Sequence, residues 1–140
     1  MIIDRLIDRI KELENPTVVG LDPRVGLIPE FIKKECLEEY GKTPKAVAES
    51  FLRFNKAIID ATADLIPAVK PQVAMYEMLG VEGMKCFKET CEYASKKGLV
   101  VIGDIKRGDI ASTAEAYSDA HIGMLDVEGE KFEMFHEDFI

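Results

Sequence analysis

The segment Val100-Val101-Ile102-Gly103-Asp104-Ile105-Lys106-Arg107-Gly108-Asp109-Ile110 constrains this chain most. Its first half is β-branched and apolar, the composition of a buried strand, and it then passes abruptly into alternating carboxylates and cations. A fully apolar strand is buried on both faces, which points to a parallel sheet covered by helices. Side chains two apart share one face of a strand, so this reading puts Asp104 and Lys106 side by side at the strand's end, with Asp109 beyond a glycine in a loop. Taken alone, such a charged string is also compatible with a surface loop whose charges meet solvent and one another.

The rest of the chain supplies the context. Ile3, Leu6, Ile7 and Ile10 recur at helical spacing in an amphipathic helix over 2–13 that stops at Asn15-Pro16. Thr17 to Asp22 is a short apolar run closing in an aspartate, and Ile66 to Pro71 is another, closing in Lys70-Pro71. Helices are expected over 29–40, 45–65, 83–97 and 111–122, with Gly98 as a stop signal before a strand over 99–105. The polar stretch 125–133 reads as irregular, and Asp138-Phe139-Ile140 as the first residues of another strand. Strands that alternate with helices in this way form right-handed βαβ units around a parallel sheet. Such a sheet gathers its strand ends at one edge, so Asp22, Lys70, Asp104 and Lys106 converge there.

At 140 residues the chain suits one domain over 1–140, yet is well short of the roughly 250 residues of a complete eight-stranded barrel. A net charge of −8 argues against nucleic acid or an anionic membrane as partner, while leaving room for a small anionic substrate held by local lysines. The sequence has neither a signal-peptide pattern nor an apolar run long enough to span a bilayer, and so reads as cytoplasmic. Three cysteines, Cys36, Cys86 and Cys91, lack the spacing of a zinc site or a disulfide framework and are expected to be reduced. His121 and His136 are expected to be structural or exposed. Gly20, Gly103 and Gly108 form no nucleotide-binding glycine motif, and tight turns or close backbone approach explain them better.

The wording of these segments resembles the orotidine 5′-monophosphate decarboxylases, in particular the bacterial branch with longer chains. The resemblance rests on Val19-Gly20-Leu21-Asp22-Pro23-Arg24, on Phe54-Asn55-Lys56 with Ile58 to Thr62, on Pro67 to Gln72 with Tyr76-Glu77, and on Val101 to Ile110 with Ser112-Thr113. It implies an α/β fold, the N-terminal part of a TIM (β/α)8 barrel: about three βα units, an N-terminal helix and the start of strand 4. It also implies decarboxylation of orotidylate to uridylate without metal or organic cofactor. Lys106 would donate the proton to C6, Asp104 would face the departing carboxylate, and Lys70 and Asp109 would complete a Lys-Asp-Lys-Asp array. Asp22 would bind a ribose hydroxyl. Asp109, with Ile110 and Thr113, would reach into the site of a second subunit in a homodimer.

Two alternatives stand beside this reading. One is a non-catalytic half-barrel that binds or assembles. The other is a magnesium-dependent sugar-phosphate decarboxylase or aldolase of the same superfamily, against which Lys70 speaks, because those enzymes place a glutamate near the end of the second strand. In the resembling family the later loops grip the substrate phosphate. A chain of this length is therefore expected to be weakly active or inactive alone, and to associate with itself or with a complementing half.

Overall fold

The structure is a computed structural model that describes residues 1–140. Helix α1 (Ile2–Leu13) ends where Glu14 enters the left-handed region at φ 51°. It crosses the N-terminal edge of the sheet. There polar side chains on it and just after it satisfy carbonyls that lead into the strands: Arg5 donates to Leu99 O at 2.8 Å, and Asn15 Nδ2 donates to Leu65 O at 2.7 Å. Strand β1 (Val18–Leu21) is followed by a single 3-10 turn, Val25–Leu27, and by α2 (Glu30–Tyr40). The long helix α3 (Pro44–Thr62) begins with proline in its first turn, and the Thr43 hydroxyl accepts from Ala46 N–H at 3.2 Å.

Strand β2 (Ala68–Pro71) leads into a five-residue helix, α4 (Val73–Glu77), and then α5 (Gly80–Lys96). Gly98, at φ 82°, makes the turn into β3 (Val100–Val101). Helix α6 (Ala111–His121) follows the charged loop, and an antiparallel hairpin of β4 (Leu125–Val127) and β5 (Glu130–Phe132) follows α6.

The three main strands lie side by side in chain order, all parallel, with Gly20 opposite Lys70 and Val69 opposite Val101. Each crossover is helical, as a right-handed βαβ progression requires. Leu21, Val69 and Val101 face Phe51, Ile59, Phe87 and Cys91 of α3 and α5, and all are essentially inaccessible to solvent. Beyond β3 the chain returns. Phe139 N–H donates to Val101 O at 3.1 Å and Gly103 N–H donates to Phe139 O at 2.7 Å, which seats Phe139 in the position of a fourth strand.

Two expectations change. The third strand is shorter than 99–105: continuous pairing covers only Val100 and Val101, and isolated bridges at Ile102 and Asp104 replace the rest of the ladder. The stretch 125–133 is not irregular but mostly hairpin. Its two-residue loop, Glu128-Gly129, has both residues at positive φ (52° and 93°), as a tight primed turn requires. All six strand residues are exposed, so burial imposed no alternation from which the hairpin might have been read.

Candidate active site

Parallel pairing does most of the work of assembling the charged site. Because β1, β2 and β3 run in register, Asp22 one residue past β1, Lys70 within β2, and Asp104 at its bridge to Gln72 reach the same edge. Lys70 Nζ lies 3.1 Å from Asp104 Oδ2 and 4.0 Å from Asp22 Oδ1. Lys106 Nζ bonds the other oxygen, Asp104 Oδ1. Asp104 therefore receives one ammonium on each oxygen while its own side chain is only a quarter exposed. The Lys106 hydrogen bond, and after it that of Lys70, holds the Asp104 carboxyl below the usual carboxylate range, against a smaller opposing push from burial.

The sequence reading placed Asp104 and Lys106 together by strand alternation, and the structure brings them together differently. Lys106 lies past the last bridge, with φ at 49°, in the left-handed region that a lysine rarely occupies. The turn folds its side chain back onto Asp104. Lys106 remains largely exposed at 73%, so its ammonium stands at the surface of the site rather than within it.

Asp109 does not join this array within the chain. Its Oδ1 accepts from Ile110 N–H at 2.8 Å, and no lysine or arginine pairs with it. Ile110 is 73% exposed and Thr113 is exposed beside it, its hydroxyl donating to Ile110 O at 3.0 Å.

Beneath the charges lies a polar cluster that sequence reasoning missed. The Tyr76 hydroxyl donates to Leu21 O at 2.9 Å, immediately before Asp22, while Asn55 Nδ2 donates to Tyr76 Oη at 2.9 Å and to Thr90 Oγ1 at 3.1 Å. All three side chains are buried, and burial drives the Tyr76 phenol well above its ordinary pKa. Asn55 stands in the segment Phe54-Asn55-Lys56 that carries the resemblance, but a polar residue amid the apolar positions of α3 equally suits a solvated face. Arg107 turns away from the array to Glu77 (2.7 Å). His121, buried, meets Glu137 Oε2 at 2.5 Å, and His136 lies near Glu92 and Glu133. Neither histidine bonds Asp22, Lys70, Asp104 or Lys106.

Consecutive parallel strands, helical crossovers, and charged groups gathered where the strands end define part of a β/α barrel with its site on the face where such barrels do chemistry. No protein-family model matches the chain. Individual proteins do. It is 42% identical over all 140 residues to the orotidine 5′-phosphate decarboxylase of Petrotoga mobilis, covering 42% of that protein. It is 46% identical over 107 residues to that of Rhodopirellula baltica, covering 76% of this chain and 34% of the relative.

Among solved structures, Leishmania donovani OMP decarboxylase matches at a TM-score of 0.63 and 33% identity, over 84% of this chain and 38% of that one. Leishmania donovani UMP synthase matches at 0.64 and 32%, over 84% and 21%. The chain thus resembles the N-terminal part of orotidine 5′-phosphate decarboxylases and folds as a partial TIM barrel. It spans about two-fifths of the length of the curated relatives it matches.

Proposed function

We propose that this chain carries the charged centre of an orotidine 5′-phosphate decarboxylase, which converts orotidylate to uridylate and carbon dioxide. The observation that carries the reading is the arrangement of Lys106 and Lys70 on the two oxygens of Asp104, in a chain that resembles decarboxylases of that name throughout. In the proposed reaction the bond between C6 and its carboxylate breaks, carbon dioxide leaves, and the electron pair stays on C6. The Lys106 ammonium then delivers a proton to C6 and regains one from solvent.

Asp104 faces the departing carboxylate. Two like charges about 4 Å apart at an effective dielectric near 20 repel by about 4 kcal/mol, and this is relieved as the carboxylate becomes neutral carbon dioxide. An enzymatic rate enhancement on the order of 20 kcal/mol needs more, so carbanion stabilisation by Lys106 and binding energy from the ribose and phosphate supply the rest. Asp22 is assigned to a ribose hydroxyl. No cofactor is required, because the ammonium meets the developing charge directly.

Asp109, Ile110 and Thr113 are assigned to the site of a second subunit in a cytoplasmic homodimer. Support comes from their exposure at the start of α6 and from the absence of a cation for Asp109 within its own chain. No helix is long and apolar enough to cross a membrane. The magnesium-dependent alternative is disfavoured because both carboxylates at the strand ends, Asp22 and Asp104, are met by lysine.

The test is orotidylate turnover by this chain, alone and mixed with the remaining part of a homologous decarboxylase, with Lys106→Ala as the comparison. Uridylate formation that disappears in Lys106→Ala supports the reading, and turnover that survives the substitution refutes it. Uridylate binding without turnover in either setting favours the non-catalytic binding module.

A further inference from the structure

The short helix α4 touches every strand end that carries a charge. From its first residue, Val73 N–H donates to Asp104 O at 3.2 Å. Near its end the Tyr76 hydroxyl donates to Leu21 O, next to Asp22, and Glu77 holds Arg107, next to Lys106. The helix is itself wedged from behind: a Cβ on Gly83 of α5 would lie 1.7 Å from Tyr76 O, so only glycine lets the two helices approach this closely.

Arg107 is the distinctive member. One guanidinium nitrogen donates to Ile105 O at 2.8 Å and another to Glu77 Oε1 at 2.7 Å. Ile105 and Arg107 flank Lys106, so the planar fork spans the residue whose backbone is held at φ 49°. A left-handed conformation at a non-glycine residue is strained and persists only where its surroundings impose it. Glu77 is half exposed, so its ion pair contributes little to global stability. What the fork supplies is geometry.

We propose that α4 is a clamp that sets where the Lys106 ammonium stands, with Glu77 and Arg107 as positioning residues that act through the turn at Lys106. The catalytic consequence rests on the reading of Lys106 as proton donor. The clamp itself can be tested without substrate.

The experiment uses the 140-residue chain labelled at lysine side chains, with the Lys106 resonance assigned by its loss in Lys106→Ala. Glu77→Ala and Arg107→Met are expected to move the Lys106 signal toward that of an exposed lysine with no carboxylate partner, such as Lys42, while the Lys70 signal and the unfolding midpoint stay in place. Glu77→Gln, which keeps an acceptor for the guanidinium, is expected to restore most of the native shift. Arg107→Lys is expected not to, because one ammonium cannot reproduce the fork. An unmoved Lys106 signal in both Glu77→Ala and Arg107→Met overturns the proposal. So does a Lys70 signal that moves with it as the midpoint falls, since that marks general support of the fold. Failure of the decarboxylase reading appears instead as turnover that survives Lys106→Ala.

Discussion

Replacing Gly103 with alanine drives a methyl group into the buried carboxyl of Glu137. The added Cβ would lie 1.7 Å from Oε1, 2.5 Å from Cδ and 3.2 Å from Cγ, whereas ordinary contact begins near 3.4 Å, so the carboxylate must retreat by about half that distance. It has nowhere to go without loss. Its other oxygen holds His121 Nδ1 at 2.5 Å, the His121 ring stacks on Phe135 at 5.0 Å between centroids, and the Glu137 side chain is fully buried. Losing a buried hydrogen bond and over-packing a tight contact together cost about 3 kcal/mol.

With Glu137→Ala already in place the clash is gone. Gly103 is not in the left-handed region, so adding alanine there is then neutral or slightly stabilising. The double-mutant cycle should therefore show a coupling of about 3 kcal/mol, read by urea denaturation followed by circular dichroism. If Gly103→Ala fails to fold, recovery of a cooperative transition in the double variant reports the same coupling. Costs that add to within about 0.5 kcal/mol would refute the reasoning.

Asn55→Ala strips the buried partners from Tyr76 Oη and Thr90 Oγ1 and leaves a small cavity; a loss of about 3 kcal/mol is expected in the same denaturation assay. Because the Asp104 carboxyl is held below its ordinary pKa, its stabilising contribution is fully present above the ordinary carboxylate range and fades as pH falls through the lowered value. Asp104→Asn should thus be destabilising at neutral pH and converge on the parent chain in acid, and a gap that widens with acidification would contradict the site's electrostatics. Burial raises the thiols of Cys36 and Cys91 and pushes Cys86 up to about 12, so Cys86 in the native chain should alkylate at neutral pH no faster than the fold opens. Rapid labelling without denaturant would count against that packing.

Much of the fold was legible because burial enforces it. The short apolar segments at 18–21, 68–71 and 100–101 bury Leu21, Val69 and Val101 against the helices, and helical periodicity between them dictates parallel crossovers, so the strand order follows almost without choice. Where burial does not discriminate, the pattern falls silent. The exposed β4–β5 hairpin left no alternation to find, and five-residue α4 is too short for a helical period to declare itself. The His121–Glu137 pair is a different case. Both residues are polar and lie near a strongly charged stretch, so exposure was the natural expectation for Glu137. Only the third dimension shows that Gly103, lacking a side chain, leaves space for that carboxyl against the sheet.

The charged array was legible for a reason that also marks its boundary. Lysine carries its ammonium on a flexible four-carbon stem, so Lys106 can meet Asp104 from a left-handed turn as readily as from a strand, and an error about the backbone did no harm to the pairing. Aspartate has no such reach. Asp22 and Asp104 must be delivered by the register of the strands themselves, and they are, to 4.0 Å and 3.1 Å from Lys70. Asp109 lies beyond the turn, on a loop that leaves the sheet edge for α6, and its short side chain engages its own neighbour's backbone. The proposed four-member array therefore divides by side-chain length. The three members on or folded back to the strand ends meet within one chain, whereas the aspartate on the departing loop faces outward, where a second subunit would have to bring a lysine to it.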